Sequence, residues 1–245
     1  MPMKNARSVE ALMQRAAQFR ALALGFAYPE AGHRDALLQA LNALSGNRNG
    51  FPRTALCNAL KEAGDSMLAE EYTRVFLGSG PCSLHETAYG DGRRMAGRPS
   101  ELADIGGFYA AFGVELSAQS PELPDLLPTE LEFYSLLLVK QAYALSRNWP
   151  EQHSIAARAA RDFIEHHLGR WSGAFAESML DHCVLPAYRE LARAVRAEVD
   201  AECRELAAHP TLASGRMPFD VMQGEDFSCP HESQAGSTGP AASQH

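Results

Sequence analysis

The sequence has no C-x-x-C pair, and its five cysteines, Cys57, Cys82, Cys183, Cys203 and Cys229, are odd in number and far apart. That pattern argues against a zinc site and against a disulfide framework, and it fits a reducing compartment. No uninterrupted run of roughly 18 apolar residues occurs, so no segment is expected to insert stably in a membrane. The N-terminus carries Lys4, Arg7, Glu10 and Arg15 within an amphipathic pattern, in place of the unbroken apolar stretch of a secretory signal. Clustered basic charge is missing too. Lys and Arg number 22 against 30 Asp and Glu, for a formal net charge of -8 and a pI near 5.6. Nucleic acid and anionic membranes attract proteins through dense Lys and Arg, so neither is an expected partner and a basic one is favoured. Strand-like alternation and repeats of fixed period are also absent.

What remains is the profile of one globular domain: 245 residues, 46% hydrophobic and 21% charged, enough chain to bury a substantial core. Val9, Leu12, Met13, Ala16, Phe19, Leu22, Ala23 and Phe26 recur every three or four positions. The spacing predicts a helix from Ser8, its N-cap, to Tyr28, closed by Pro29. Further helices are predicted over about 33–44, 52–63 and 65–77, and again over 99–112 and 128–147. The last of these is apolar nearly all round and should be the buried central helix. Helical patterns continue over 151–168 and 172–207, with Pro186 splitting the latter. The predicted fold is therefore all-α, a single-domain helical bundle over 1–208. The composition from 209 to 245 turns to Gly, Ser, Gln, Pro and Asp, which reads as a disordered tail dispensable for folding.

Catalytic constellations are thin. Cys82 and His85 are near neighbours in sequence, and Gly90-Asp91-Gly92-Arg93-Arg94-Met95-Ala96-Gly97 has the look of a phosphate loop. No strand precedes that loop and no Gly-Lys-Ser or Gly-Lys-Thr ends it. A small hydrolase or nucleotide-binding enzyme using the 78–98 loop stays open as the alternative, as does a structural subunit of a helical complex. Asp181-His182-Cys183 and Cys229-Pro230-His231 lack the pairwise spacing of metal ligands, so neither metal nor cofactor is expected. His166 and His167 fall near the end of a predicted helix and suit a cation at its carbonyl-rich terminus. Asp125 fits a cap, and Glu130 and Glu132 the amide-rich start, of the central helix.

The segment 78–132 is different. It holds nine acids, Glu86, Asp91, Glu101, Asp104, Glu115, Glu122, Asp125, Glu130 and Glu132, against the three bases Arg93, Arg94 and Arg98. These are interleaved with Leu84, Tyr89, Phe108, Tyr109, Phe112, Leu123, Leu126 and Leu127. Apolar contact with an acidic rim suits a peptide that is basic at one end and apolar at the other.

Three blocks in this order resemble a known family. The first is Glu71-Tyr72-Thr73-Arg74-Val75-Phe76-Leu77-Gly78, then Pro81 and Glu86-Thr87-Ala88-Tyr89. The second is Pro124-Asp125-Leu126-Leu127-Pro128-Thr129-Glu130-Leu131-Glu132-Phe133. The third is His167-Leu168-Gly169-Arg170-Trp171 with Phe175 and Tyr188. Together they are similar to the redox-enzyme maturation proteins, helical cytoplasmic chaperones of molybdenum-containing oxidoreductases, although the family's signature has histidine where this chain has Leu126. The resemblance implies a non-enzymatic chaperone that binds the N-terminal signal of an apo catalytic subunit until its molybdenum cofactor is inserted. Where the client is exported, this is proofreading of a twin-arginine signal. Client contacts are expected at Glu86, Tyr89, Pro124, Asp125, Leu126, Glu130 and Glu132, with Asp125 and Glu86 acting through charge.

Overall fold

The computed structural model describes residues 2–45, 50–90, 98–115 and 123–213. Among the described residues the chain is helical: α1 (Pro2–Gly25), α2 (His33–Ala43), α3 (Arg53–Glu62), α4 (Asp65–Phe76), α5 (Arg98–Ala111), α6 (Leu127–Ser146), α7 (Pro150–Phe163), α8 (Gly169–His182) and α9 (Pro186–Leu206). A 3-10 turn spans Glu86–Ala88, and a π-helical turn, Ile164–Leu168, joins α7 to α8. No described helix is long and apolar enough to cross a membrane.

Apolar periodicity places each helix. In α1 the residues Leu12, Ala16, Phe19, Leu22 and Ala23 form one buried stripe. That stripe lies antiparallel on α6, with Phe19 edge-on to Tyr134 at 4.5 Å and Ser135 Oγ donating to the Ala16 carbonyl at 2.8 Å. In α6, Leu127, Leu131, Tyr134, Leu137 and Leu138 are wholly buried, as a central helix should be. Each such side chain contributes about 1.5–3 kcal/mol on leaving water. The α1–α6 pair is pinned to α9 by the Arg15 guanidinium, which forks onto Glu202 and reaches Glu205 at 2.8 Å, while Tyr134 Oη donates to Glu202 at 2.5 Å. Removing one partner of such a buried ion pair costs about 3–5 kcal/mol, because the other charge is left without a counterpart.

The expected and observed elements differ at three places. Helix α1 begins at Pro2, so Ser8 lies inside it and is no N-cap; it closes at Gly25, short of Pro29, whose ring disfavours helical backbone before it. Pro186 does split the last helical stretch. The split is capped from outside, since Glu71 Oε1 accepts the Val184 and Leu185 amides at 2.6 and 3.1 Å. His166 and His167 do not end a helix. The chain continues through the π turn, where the Gly169 amide donates to the Ile164 carbonyl, directly into α8. A Cβ on Gly169 would lie 2.5 Å from the Ile164 carbonyl oxygen, so only glycine permits that wide turn.

The expected boundary at 208 also shifts. Ala208 is buried and the Ala213 amide donates to the Arg170 carbonyl at 2.8 Å, so residues up to 213 belong to the packed domain. The disorder expected of the tail falls, from 214 onward, outside the described residues. Deleting 214–245 should leave helical circular dichroism and melting unchanged. Deleting 208–245 should cost about 1–2 kcal/mol, a drop of roughly 2–8 °C in Tm. Equal melting of the two truncations would contradict the assigned boundary.

Candidate functional site

The loop after α4 doubles back on its own helix. Gly78 adopts φ 59°, and Gly80 packs so closely that a Cβ there would sit 2.4 Å from the Val75 carbonyl oxygen. The Cys82 amide then donates to that same carbonyl at 3.0 Å. From here the chain runs antiparallel to the entrance of α6, pairing at His85 and Leu126. Two backbone bonds flank the pair: Glu86 N–H to Asp125 O at 3.0 Å and Leu127 N–H to Leu84 O at 2.8 Å.

Asp125 is the centre of this junction. Its carboxylate is fully buried, with Oδ1 3.0 Å from His85 Nδ1 and Oδ2 accepting from Thr87 Oγ1 at 2.6 Å and from the Thr87 amide at 3.2 Å. Burial alone would raise this acid. The His85 and Thr87 hydrogen bonds outweigh burial and hold it below the ordinary aspartate value. Next to it, Glu86 and Glu130 are also fully buried. Glu86 Oε2 lies 3.2 Å from His167 Nδ1, whose Nε2 is 3.4 Å from Asp104, and Glu130 Oε2 accepts from Trp171 Nε1 at 3.3 Å. The remaining oxygens, Glu86 Oε1 and Glu130 Oε1, meet no N–H or O–H donor. Burial, then the neighbouring Glu86 carboxylate, push Glu130 well above the usual glutamate range.

This geometry revises the surface expected of the sequence. Glu86, Tyr89, Asp125 and Glu130 are buried, Pro124 and Leu126 are half-buried, and Glu132 alone of the seven is exposed. Asp125 does not cap α6, and Glu130 is not an exposed acid at the helix start. Tyr89 donates its hydroxyl to the Ser83 carbonyl at 2.8 Å and sets its ring 5.2 Å from Trp171. Pro124 receives the Tyr109 hydroxyl on its carbonyl at 2.7 Å. Asp125 and Glu86 are therefore not exposed for the direct charge contact expected of them, and neutralising either acts on the fold. His167 is buried among Phe108, Phe163 and Glu86, so it is no exposed helix-end cation. Cys82 Sγ is 3.2 Å from Ser178 Oγ while His85 is engaged with Asp125, so the two do not form a nucleophile and base. Among the described residues no cluster of His, Cys, Asp and Glu could hold a metal ion, and most of the glycine loop, 91–97, lies outside them.

Beside this braced junction opens a cleft of about 400 Å³ between α1, α2 and the start of α6. Leu24, Ala27, Leu126 and Pro128 line it, and Tyr28, 49% exposed, stands at its edge on Tyr72, ring centroids 5.3 Å apart. Arg20 and Glu132 are also in the lining, 3.8 Å apart, both largely in solvent. Arg20 and Tyr28 had no local sequence signal. They reach Leu126 and Glu132 only because α1 lies along α6.

The model for the nitrate reductase delta subunit matches residues 39–177. The chain belongs to that family of redox-enzyme maturation chaperones. It is 32% identical over 199 residues to a selenate reductase assembly chaperone of Thauera selenatis, covering 78% of this chain and 92% of the relative. It is 31% identical over 164 residues to a chlorate reductase assembly chaperone of Ideonella dechloratans, covering 67% and 76%. It is also 30% identical over 143 residues to the chaperone protein TorD of Vibrio cholerae, covering 56% and 61%. This chaperone is not an enzyme.

The two titrating acids of the chaperone's junction have opposite signatures. Glu130 is raised above its ordinary 4.5, so the stability it lends is complete below that value and is lost as pH rises through its folded value. Glu130→Gln keeps the neutral shape without the titration. The Tm of the wild type should fall below that of the variant as pH rises, and the two curves should run parallel below about 4.5. Asp125 is lowered from 3.8, so its contribution is present above that value and is lost as pH falls through its folded value. Asp125→Asn should cost about 1.5–3 kcal/mol at neutral pH. Parallel melting of wild type and Glu130→Gln across the whole range, or undiminished stability of Asp125→Asn, would break this assignment.

Proposed function

We propose that this chaperone binds, in the cytoplasm, the N-terminal signal of an apo catalytic subunit of a molybdenum-containing oxidoreductase, and holds it until the cofactor is inserted. The observation that carries the reading is the cleft. Its apolar lining lies within one side chain of an exposed carboxylate, Glu132, on a protein of net charge -8. A twin-arginine signal offers the complement, two guanidinium groups beside an apolar stretch. In this proposal the apolar stretch seats on Leu24, Leu126 and Pro128 against Tyr28, and a client arginine takes Glu132 from Arg20. Of the residues expected to contact the client, Glu132, Leu126 and Pro124 have exposed surface for direct contact. Glu86, Tyr89, Asp125 and Glu130 act through the junction that sets the cleft's edge.

The names of the relatives support a reductase client, as two of them are assembly chaperones for selenate and chlorate reductases. Timing requires only differential affinity: a chaperone that prefers the unfilled client releases the filled one.

Calorimetric titration with the N-terminal peptide of the reductase subunit that copurifies with the chain tests the site. Tyr28→Ala should weaken binding by about 5- to 30-fold, a loss of roughly 1–2 kcal/mol that changes little with salt. Glu132→Gln should weaken it by about 1.4- to 5-fold, a loss that shrinks at high ionic strength. Both variants should keep the wild-type Tm. Unchanged affinity for both would remove the client from this cleft, and copurification of no molybdenum-type subunit would remove the client class.

A further inference from the structure

Helices α5 and α7 leave a groove of about 360 Å³ between them. Gly107, Phe108, Phe112, Ile155 and Ala159 give it an apolar floor, and Ile155 is 45% exposed. Gly107 answers no close packing within the described residues, since a Cβ there would meet no atom within 4 Å. Contacts of Glu101 with Arg170, Asp104 with His167 and Phe108 with Phe163 set α5 antiparallel to the chain from α7 into α8. Charge along the groove therefore has a direction. Asp104 stands at its mouth and Asp162 beside Phe108, while Arg158 lies a helical turn further in and Lys140 sits over the Phe112 ring, 5.9 Å from its centroid.

The described chain ends at the acidic mouth. The Ala213 amide donates to the Arg170 carbonyl at 2.8 Å, and the Arg170 guanidinium reaches Glu101, one turn before Asp104, at 3.2 Å. The sequence continues Ser214-Gly215-Arg216-Met217-Pro218-Phe219-Asp220-Val221-Met222. Met217, Phe219 and Val221 alternate with Arg216, Pro218 and Asp220, so an extended backbone sets all three apolar side chains on one face. Pro218 disfavours helical backbone at Met217. From 223 to 245 Phe227 is the only large apolar residue. The groove from Asp104 to Phe112 is about 12 Å long at 1.5 Å per helical residue, and an extended chain advances about 3.3 Å per residue, so Met217 to Val221 match its length.

We infer that residues 216–222 of this chain dock in the groove between α5 and α7. Met217, Phe219 and Val221 face its apolar floor, Arg216 meets Asp104 and Asp162 at the mouth, and Asp220 meets Arg158 beyond them. The order of charge along the segment, basic then acidic, complements the order along the groove, acidic then basic. Ser214 and Gly215 tether the segment at the mouth, which gives it a high effective concentration there. Ordering the segment opposes the burial of its three apolar side chains, so docking is a shallow local equilibrium. It is lost before the domain melts, and removing 214–245 leaves the Tm in place. The surface is distinct from the cleft and does not rest on the client assignment.

The segment contains its own control, because Phe227 follows it in the same chain. Thermolysin, added to the full chain under native conditions, cleaves before Phe219 and before Phe227, and mass spectrometry gives the two initial rates. A synthetic peptide of residues 214–232 sets their ratio without the groove. In the full chain the Phe219 to Phe227 ratio should fall at least about threefold below the peptide's, since cleavage reads the undocked fraction. Gly107→Leu fills the groove at an open position, with a better helix former than glycine, and should return the ratio to the peptide's. Arg216→Asp should move the ratio toward the peptide's, and adding Asp162→Arg should restore protection. The inference is overturned if chain and peptide give equal ratios, if Gly107→Leu leaves the protection intact, or if Asp162→Arg rescues nothing. Protection that rises with protein concentration also overturns it, by giving the groove to the tail of a second copy.

Discussion

Asp125 satisfies two chain segments that sequence keeps 40 residues apart. Its side chain answers His85 and Thr87, and its backbone carbonyl answers the Glu86 amide. A buried carboxylate is costly unless its oxygens are hydrogen-bonded, so the loop before Tyr89 and the entrance to α6 must come together for either to be buried. Glu86 then points inward at His167, and Glu130 stands beneath Trp171. Burial and the neighbouring Glu86 carboxylate raise Glu130, while the His85 and Thr87 bonds hold Asp125 low. The arrangement behaves as a single unit, in which loss of one partner exposes the desolvation cost of the others.

The rest of the molecule holds that unit in place. Gly169 permits the wide turn that carries His167 inward, Glu71 caps α9 from outside, and Arg15 ties α1 and α6 to α9. The cleft is a by-product of this bracing. The Leu126 bridge fixes one wall, and α1 supplies the other through Leu24 and Tyr28. A rigid wall beside an exposed aromatic lowers the entropy lost when an extended segment binds, which is the physical advantage a client-holding protein needs.

How much of this could be read from the sequence depended on range. Apart from the start of α1, helix positions were legible to within a few residues because 3.6-residue periodicity and proline act locally; the split at Pro186 needed no tertiary knowledge. Family membership was legible from the Glu86–Tyr89, Pro124–Phe133 and His167–Trp171 blocks. The burial of the acids Glu86, Asp125 and Glu130 was not legible. Glu86 reads as a solvated charge until His167, 81 residues away, is placed against it. His167 was misread for a related reason: a predicted helix end there made it an exposed cation, whereas the π turn runs on through Gly169. Arg20 and Tyr28 carried no signal at all, since only the antiparallel docking of α1 on α6 brings them to Leu126.

The central claim is that buried Asp125 couples the 83–89 loop to the start of α6, and the most direct measurement is hydrogen exchange followed peptide by peptide in the wild type and Asp125→Ala. If the coupling holds, the variant exchanges faster at the amides of Glu86, Thr87 and Leu127 together, while the α1 and α9 amides around Arg15 and Glu202 keep their protection. Acceleration confined to one of the two segments, or spread evenly over every helix, would contradict it.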